Sequence, residues 1–180
     1  MNEQTLQRLK QMKFQGMAMA FKTSLEDGRM ASMTADEIVA FLIESEWDHR
    51  NNRRIERHIN QARFRYRANI EHLDFETDRN LDKNQIMRFT DCHFIGKSET
   101  IIITGSTGIG KSFIASAIGN QACILGYKVL YANTTKLFAK LKMSKADGSY
   151  IKEIARIEKQ DLLILDDFGI QPFDNQSRSS

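Results

Sequence analysis

The chain has few of the residues that staple, break or anchor a fold. Only two cysteines occur in 180 residues, Cys92 and Cys123, too few for a disulfide framework, and no CxxC pair offers a zinc site. The single proline is Pro172, so no proline interrupts a helix before it. No charge sign dominates, with 26 basic and 23 acidic side chains leaving a net charge of +3. The longest apolar stretches are strand-sized and fall short of a membrane span. The opening MNEQTLQRLKQMKFQG has no apolar run of secretory type. These absences predict a soluble, cytoplasmic protein with no membrane partner. What remains is 41% hydrophobic and 27% charged, with 11 phenylalanines, which excludes a wholly disordered chain. It suits one globular domain or two small ones.

The charge is local where it matters. Residues 1 to 99 hold 16 basic and 16 acidic side chains, which balance. Within them, Trp47 to His72 carries seven arginines against Asp48, Glu56 and Glu71. Such a patch solvates a helix face or marks a nucleic-acid or acidic partner.

Residues 1 to about 72 read as helical. Leu6, Leu9, Phe14, Met17 and Phe21 recur at three-to-five-residue spacing, as one helix face requires. Glu26-Asp27-Gly28 is a break, and Thr34-Ala35-Asp36-Glu37 has capping-box form. Ile38, Phe41, Leu42 and Ser45 then share a face that runs on towards Ile55 and Ile59, with Trp47 expected as a core anchor. Residues 73 to 99 form a connector with a short helical pattern from Leu81 to Phe89. From residue 100 the pattern changes. Thr100 to Thr104 is a β-branched apolar run, the signature of a buried parallel strand. A helix from Ser112 to Leu125 follows, stopped by Gly126. Strands at Lys128 to Ala132 and Leu162 to Leu165 flank helices over 134–142 and 149–159. Strands alternating with helices predict a parallel α/β sheet.

Gly105-Ser106-Thr107-Gly108-Ile109-Gly110-Lys111-Ser112 matches G-x-x-x-x-G-K-[ST], with Phe113 next in the helix. Glycines let successive N–H groups turn inward at phosphate oxygens, and the helix adds its positive end. Lys111 would neutralise β- and γ-phosphate charge, and the Ser112 hydroxyl would ligate Mg²⁺. The alternative is a chance glycine-rich turn. An apolar run before it and a helix after it argue for the phosphate cradle, so residues 105 to 113 are the predicted nucleotide-binding set.

Leu162-Leu163-Ile164-Leu165-Asp166-Asp167 delivers two acids to the end of an apolar strand, Asp166 lying 55 residues beyond Lys111. Ligands bind at that end of open parallel sheets. Asp166 would hold Mg²⁺ through water, and Asp167 would orient or deprotonate the attacking water. Many ATPases carry Glu at the second position, so Asp167 is one methylene short of that reach. Lys111 and Asp167 are the predicted catalytic pair, and Ser112 and Asp166 the predicted metal ligands.

Arg50, Arg53, Arg54 and Arg57 fall at i, i+3, i+4 and i+7, one stripe of a helix. Arg63, Arg65 and Arg67 then alternate with Phe64 and Tyr66. Guanidinium groups so spaced can bridge backbone phosphates, which makes these seven the candidate nucleic-acid contacts. A solvated helix face with local Glu pairing explains the stripe equally well.

The combination of Asn52-Arg53-Arg54, Ala62-Arg63-Phe64, GSTGIGKS and LLILDDFG resembles the IstB-like transposition helper ATPases, AAA+ proteins that accompany certain transposases. It also touches the DnaC-like helicase loaders, which share the ATPase core. The resemblance covers nearly the whole chain. It implies a P-loop AAA+ core over 100–180, a helical DNA- or partner-binding domain over 1–72, and ATP and Mg²⁺ as cofactors. It further implies assembly on duplex DNA, self-association with ATP, recruitment or activation of a transposase, and hydrolysis that remodels the complex. The resembled family continues well past the second acidic motif, with a strand lying between those of the two motifs. This chain stops 13 residues after Asp167. The expectation is therefore a fragment or truncated product with a gap between two strands, binding nucleotide weakly and hydrolysing it poorly. Two rival functions stand beside the first: a helicase loader, and an assembly factor that uses ATP without hydrolysing it.

Overall fold

In the computed structural model, which describes residues 2–75 and 82–169, the capping box is made as the sequence spells it. The Glu37 N–H lies 3.4 Å from Thr34 Oγ1, and the Glu37 carboxylate accepts from the Thr34 N–H at 2.7 Å. Two amides with no partner inside the helix are so satisfied reciprocally. Two helices precede this start, α1 (Asn2–Gln11) and α2 (Gln15–Glu26), and from it runs the 28-residue α3 (Ala35–Ala62). The series from Leu6 to Phe21 is therefore not one helix. Lys13, at φ 63°, turns the chain between α1 and α2, where the five-residue step from Leu9 to Phe14 already leaves a single helical face.

Met1–Glu56 and Arg57–Ser180 form two compact units. In the first, α2 meets α3 at Gly16, where a Cβ would lie 2.7 Å from Glu46 Cα and 2.8 Å from His49 Cβ. Only glycine lets the two helices approach that closely. Beside this contact, Glu46 is buried and accepts hydrogen bonds from the Met17 N–H (3.1 Å) and from Arg50 Nε (2.6 Å). Trp47 is not a core anchor: it is 71% exposed. Ser45 and His49, which pack against α2, each lie two residues from Trp47, about 200° round the helix. The tryptophan therefore faces away from the packed side.

In the second unit α3 ends at the fully buried Ala62, and Arg63 takes a left-handed conformation with φ 59°. The helical reading up to residue 72 fails from here. Residues 63 to 69 form a non-helical strap, closed by a single 3₁₀ turn at Ile70–His72. The alternation of Arg63, Arg65 and Arg67 with Phe64 and Tyr66 has a period of two, which a helix cannot use to bury one face. Two short helices follow, α4 (Lys83–Met87) and α5 (His93–Gly96). α4 lies inside the predicted Leu81–Phe89 pattern, and Leu81 itself falls outside the described residues.

The remainder is mixed α/β: α6 (Lys111–Ile124), β1 (Val129–Asn133), α7 (Thr134–Asp147), α8 (Tyr150–Glu158) and β2 (Leu162–Asp166). β1 and β2 pair in parallel, with Val129 opposite Leu162 and Asn133 opposite Asp166. The predicted strand over 100–104 does not join them. Ile101 and Ile103 are half-buried and Ile102 is 81% exposed, an alternation a strand would show. No described residue pairs with that segment in a ladder, and a strand needs one. A groove of about 350 Å³ lies between it and β2, lined by Ile101, Ile103, Ala115, Ile118, Leu162 and Leu163. The core gathers Ala62, Cys92, Ile114, Ala117, Ala122, Cys123 and Val129 around the inner face of α6. Burial pushes the Cys92 thiol up to about 11 and the Cys123 thiol up to about 12, so both stay protonated and serve as small apolar side chains. Among the described residues no helix is long and apolar enough to cross a membrane.

Candidate functional site

The C-terminal ends of β1 and β2 and the N-terminus of α6 converge on one carboxylate. Gly108 and Gly110, with φ of 84° and 98°, turn the loop in a way that other residues rarely can, and Gly110 hands the chain into α6. This aims the helix start, with its unsatisfied N–H groups, at whatever lies in the loop. The Lys111 ammonium folds back over the same loop and donates to the carbonyl oxygens of Gly105 (2.9 Å) and Ser106 (2.7 Å). Ser106 and Thr107 are exposed, Ile109 is half-buried, and the Phe113 ring lies 6.1 Å from that of Tyr66.

Ser112 meets Asp166 across 54 residues of sequence, its hydroxyl donating to Oδ1 at 2.8 Å. The other oxygen, Oδ2, accepts from the Tyr131 hydroxyl at 2.5 Å and from Arg65 Nη1 at 3.3 Å. Burial pushes the Asp166 carboxyl up. Hydrogen bonds from Tyr131, Ser112, Arg65 and the Asp167 backbone outweigh it and hold the group below the usual carboxylate range. The same arrangement raises the Tyr131 phenol, first by burial and then by its bond to Asp166. Asp166 is therefore an anion at neutral pH. The Thr134 hydroxyl donates to its backbone carbonyl at 2.8 Å and ties the end of β2 to the start of α7.

Asp167 takes φ 57°, which turns its carboxylate off the strand. Its Oδ2 accepts from Asn133 Nδ2 at 2.7 Å and lies 3.9 Å from Arg65 Nη1. Hydroxyl and carboxylate oxygens are the hard donors that Mg²⁺ takes, and it usually draws only one or two from protein. Ser112 and Asp166 fit that pattern. Among the described residues no group of three or more His, Cys, Asp or Glu gathers as a protein-only metal site.

The seven arginines do not behave as one set. Arg50 bonds Glu46 and lies 5.3 Å over the Phe14 ring, and Arg54 bonds Asn51 at 2.8 Å. Arg53, Arg57, Arg63 and Arg67 are exposed. Arg65 sits with the two acids instead. Tyr131, Asn133 and Thr134 were not singled out from the sequence, although the signal was present: polar side chains at the C-terminal end of a strand that neighbours an acidic strand end.

The family model described as IstB-like ATP binding protein matches residues 7–180. An insertion-sequence protein of Sinorhizobium fredii, y4pL, named as ATP-binding, is 33% identical over 174 residues, which cover 97% of this chain and 71% of that protein. The protein of insertion sequence IS1162 from Pseudomonas fluorescens, likewise named as ATP-binding, is 34% identical over 179 residues, 99% of this chain and 78% of its own length. The corresponding protein of IS21 from Pseudomonas aeruginosa is 25% identical, covering 95% of this chain and 64% of its own length.

Proposed function

This chain belongs to the IstB-like ATP-binding family, and we propose on that footing that it is the ATP-binding, Mg²⁺-dependent helper of an insertion sequence. In this reading it is an ATPase of AAA+ type that assembles on duplex DNA and engages the transposase of the same element. The observation that carries the nucleotide site is the 2.8 Å contact between the Ser112 hydroxyl and Asp166. Two motifs distant in sequence place a hydroxyl and an anionic carboxylate together at the mouth of a glycine loop, which a chance glycine-rich turn would not do.

Each residue then has work of its own. Backbone N–H groups of Gly105 to Ser112 bind the phosphates, and Lys111 exchanges its loop carbonyls for phosphate oxygens. Ser112 and Asp166 hold the metal ion, Asp166 as an anion that needs no proton loss at neutral pH. The chemistry a bound Mg²⁺ supplies is neutralisation of charge on the β- and γ-phosphate oxygens. Asp167, steadied by Asn133, orients the attacking water or takes its proton. The exposed Arg53, Arg57, Arg63 and Arg67 contact backbone phosphates of DNA without reading its sequence. The helical unit up to Glu56 forms the DNA- or partner-binding part, and the unit from Arg57 onward, which holds the strap and the glycine loop, forms the ATPase part, so the boundary falls before residue 72. The relatives are named as proteins of insertion sequences, which supports the transposition reading over helicase loading.

The test is duplex-DNA binding at one stated salt concentration with ATP, with ADP and without nucleotide, repeated with Lys111→Ala. Binding stimulated by ATP and lost in the variant supports the reading. Binding indifferent to nucleotide in both proteins overturns the nucleotide-dependent helper.

A further inference from the structure

Arg65 is the one arginine of the seven that meets both acidic residues. A single nitrogen, Nη1, lies 3.3 Å from Asp166 Oδ2 and 3.9 Å from Asp167 Oδ2. The strap holds it there from both sides. Phe64 packs its ring edge-on against Tyr131 at 6.2 Å and fills the space over Gly119. Tyr66 lies under the Arg65 guanidinium at 5.5 Å and against Phe113 at 6.1 Å. The backbone on either side of Arg65 is thus anchored to the sheet and to the first turn of α6, while its side chain remains half-exposed at 51%. The charge is aimed at the carboxylate pair and can still leave it.

We propose that Arg65 is a positioning residue of the nucleotide site, a built-in counter-ion that occupies the Asp166–Asp167 pair until Mg²⁺-nucleotide displaces it. This rests on the nucleotide-site reading above and adds the regulation of that site. The physical reason is competition for one anion. Asp166 presents Oδ1 to Ser112 and Oδ2 to Tyr131 and Arg65, so a divalent cation drawn to that carboxylate brings its charge next to the guanidinium. Two cations on one carboxylate repel, and the half-exposed arginine is the one that can move into water. The ring contacts of Phe64 and Tyr66 keep the strap from detaching, but it loses the ion pair that clamps its middle when the guanidinium turns away. Arg65 is then released from the acids only in the Mg²⁺-nucleotide state, and the strap reports that state.

The experiment titrates Mg²⁺ into the full chain at fixed fluorescent ADP and reads the Mg²⁺ midpoint for wild type, Arg65→Gln and Arg65→Lys. Amide exchange over residues 63–68 is followed in parallel. Removing the competitor should lower the midpoint roughly two- to fivefold in Arg65→Gln, the scale of one exposed charge pair. Arg65→Lys should return most of the way to wild type. Mg²⁺-ADP should speed exchange in the wild-type strap, whereas Arg65→Gln should exchange fast with or without it. An unchanged midpoint in Arg65→Gln overturns the proposal, as does a raised one, which would make Arg65 a phosphate ligand. If wild type binds no nucleotide at any Mg²⁺ concentration, the nucleotide-site reading falls and this proposal with it. That outcome is distinct from a wild type that binds while the variants match it.

Discussion

Asn133 stands directly opposite Asp166 in the β1–β2 ladder, yet its side-chain amide reaches past that residue and donates to Asp167 at 2.7 Å. Its other side-chain atom, Oδ1, accepts from the Lys136 N–H at 3.1 Å and caps α7. One side chain therefore fixes an acid and starts a helix. Asn133→Ala removes both and is expected to cost about 0.5–2 kcal/mol, the usual worth of an N-cap. Asn133→Ser keeps a capping oxygen but is too short to reach Asp167. Urea unfolding should show Ser recovering most of the stability that Ala loses. Equal losses in the two variants would place the stabilisation at Asp167 instead.

Tyr131 gives Asp166 its shortest hydrogen bond, at 2.5 Å, and its ring also supports Phe64. Tyr131→Phe separates the two roles, because the ring stays and the hydroxyl goes. Asp166 keeps Ser112 and Arg65, so it is not left unpartnered. The expected loss is about 1.5–3 kcal/mol, that of a hydrogen bond to a charged group. Tyr131→Leu should lose more, since the edge contact with Phe64 goes as well. A Phe variant as unstable as the Leu variant would mean that the ring contact contributes nothing measurable.

At Gly119, α6 comes close to Ile164 of β2 and to Phe64 of the strap. A Cβ there would lie 2.5 Å from Phe64 Cε1 and 2.7 Å from Ile164 Cδ1, closer than side chains pack. Gly119→Ala gains helix propensity, about 1 kcal/mol at an exposed site. Overpacking of about 1–3 kcal/mol opposes it, because a stiff ring must move. The net expectation is destabilisation, with Phe64 pushed off Tyr131 and the strap displaced. Phe64→Leu in the Gly119→Ala background should restore part of the loss. Two losses that simply add would show that the ring was never in the way.

The glycine loop and the acidic strand end were legible because their backbone signals are local. Glycines at 105, 108 and 110 report backbone turns, and an acid after Leu162 to Leu165 reports the end of a strand. The capping box at Thr34 and Glu37 was legible for the same reason. Arg65 was not, since its partner is 101 residues away and its neighbours repeat every second residue just as it does. The period of two over residues 63–67 is not a helix's, yet the helical reading ran through it to residue 72, and that period does not say where the strap would lie. Trp47 misled in another way. A lone tryptophan in a charged helix reads as an anchor, while the face of α3 that packs is set by where Gly16 lets α2 approach. The segment at 100–104 has a strand's alternation, and a ladder depends on a neighbour that alternation does not specify.

Acid should loosen the first unit through Glu46. Burial raises the carboxyl of this residue, but hydrogen bonds from Arg50 and from the Met17 and Gly16 backbone outweigh burial and hold it below its ordinary value of 4.5. A group depressed in the folded state contributes its full stabilisation above the unfolded value. That contribution fades as pH falls below 4.5 and through the folded value. Proton uptake breaks the ion pair at 2.6 Å that holds Arg50 over Phe14, and it weakens the bond from the Met17 N–H, whose acceptor loses its charge. Glu46→Gln keeps an acceptor for Met17 but carries no charge to lose. It should be less stable than wild type at pH 7 and change less between pH 7 and the acid limb. Helicity followed by circular dichroism through thermal melts at several pH values reads both. Parallel acid limbs for wild type and Glu46→Gln would show that the acid sensitivity of this unit arises at another carboxylate.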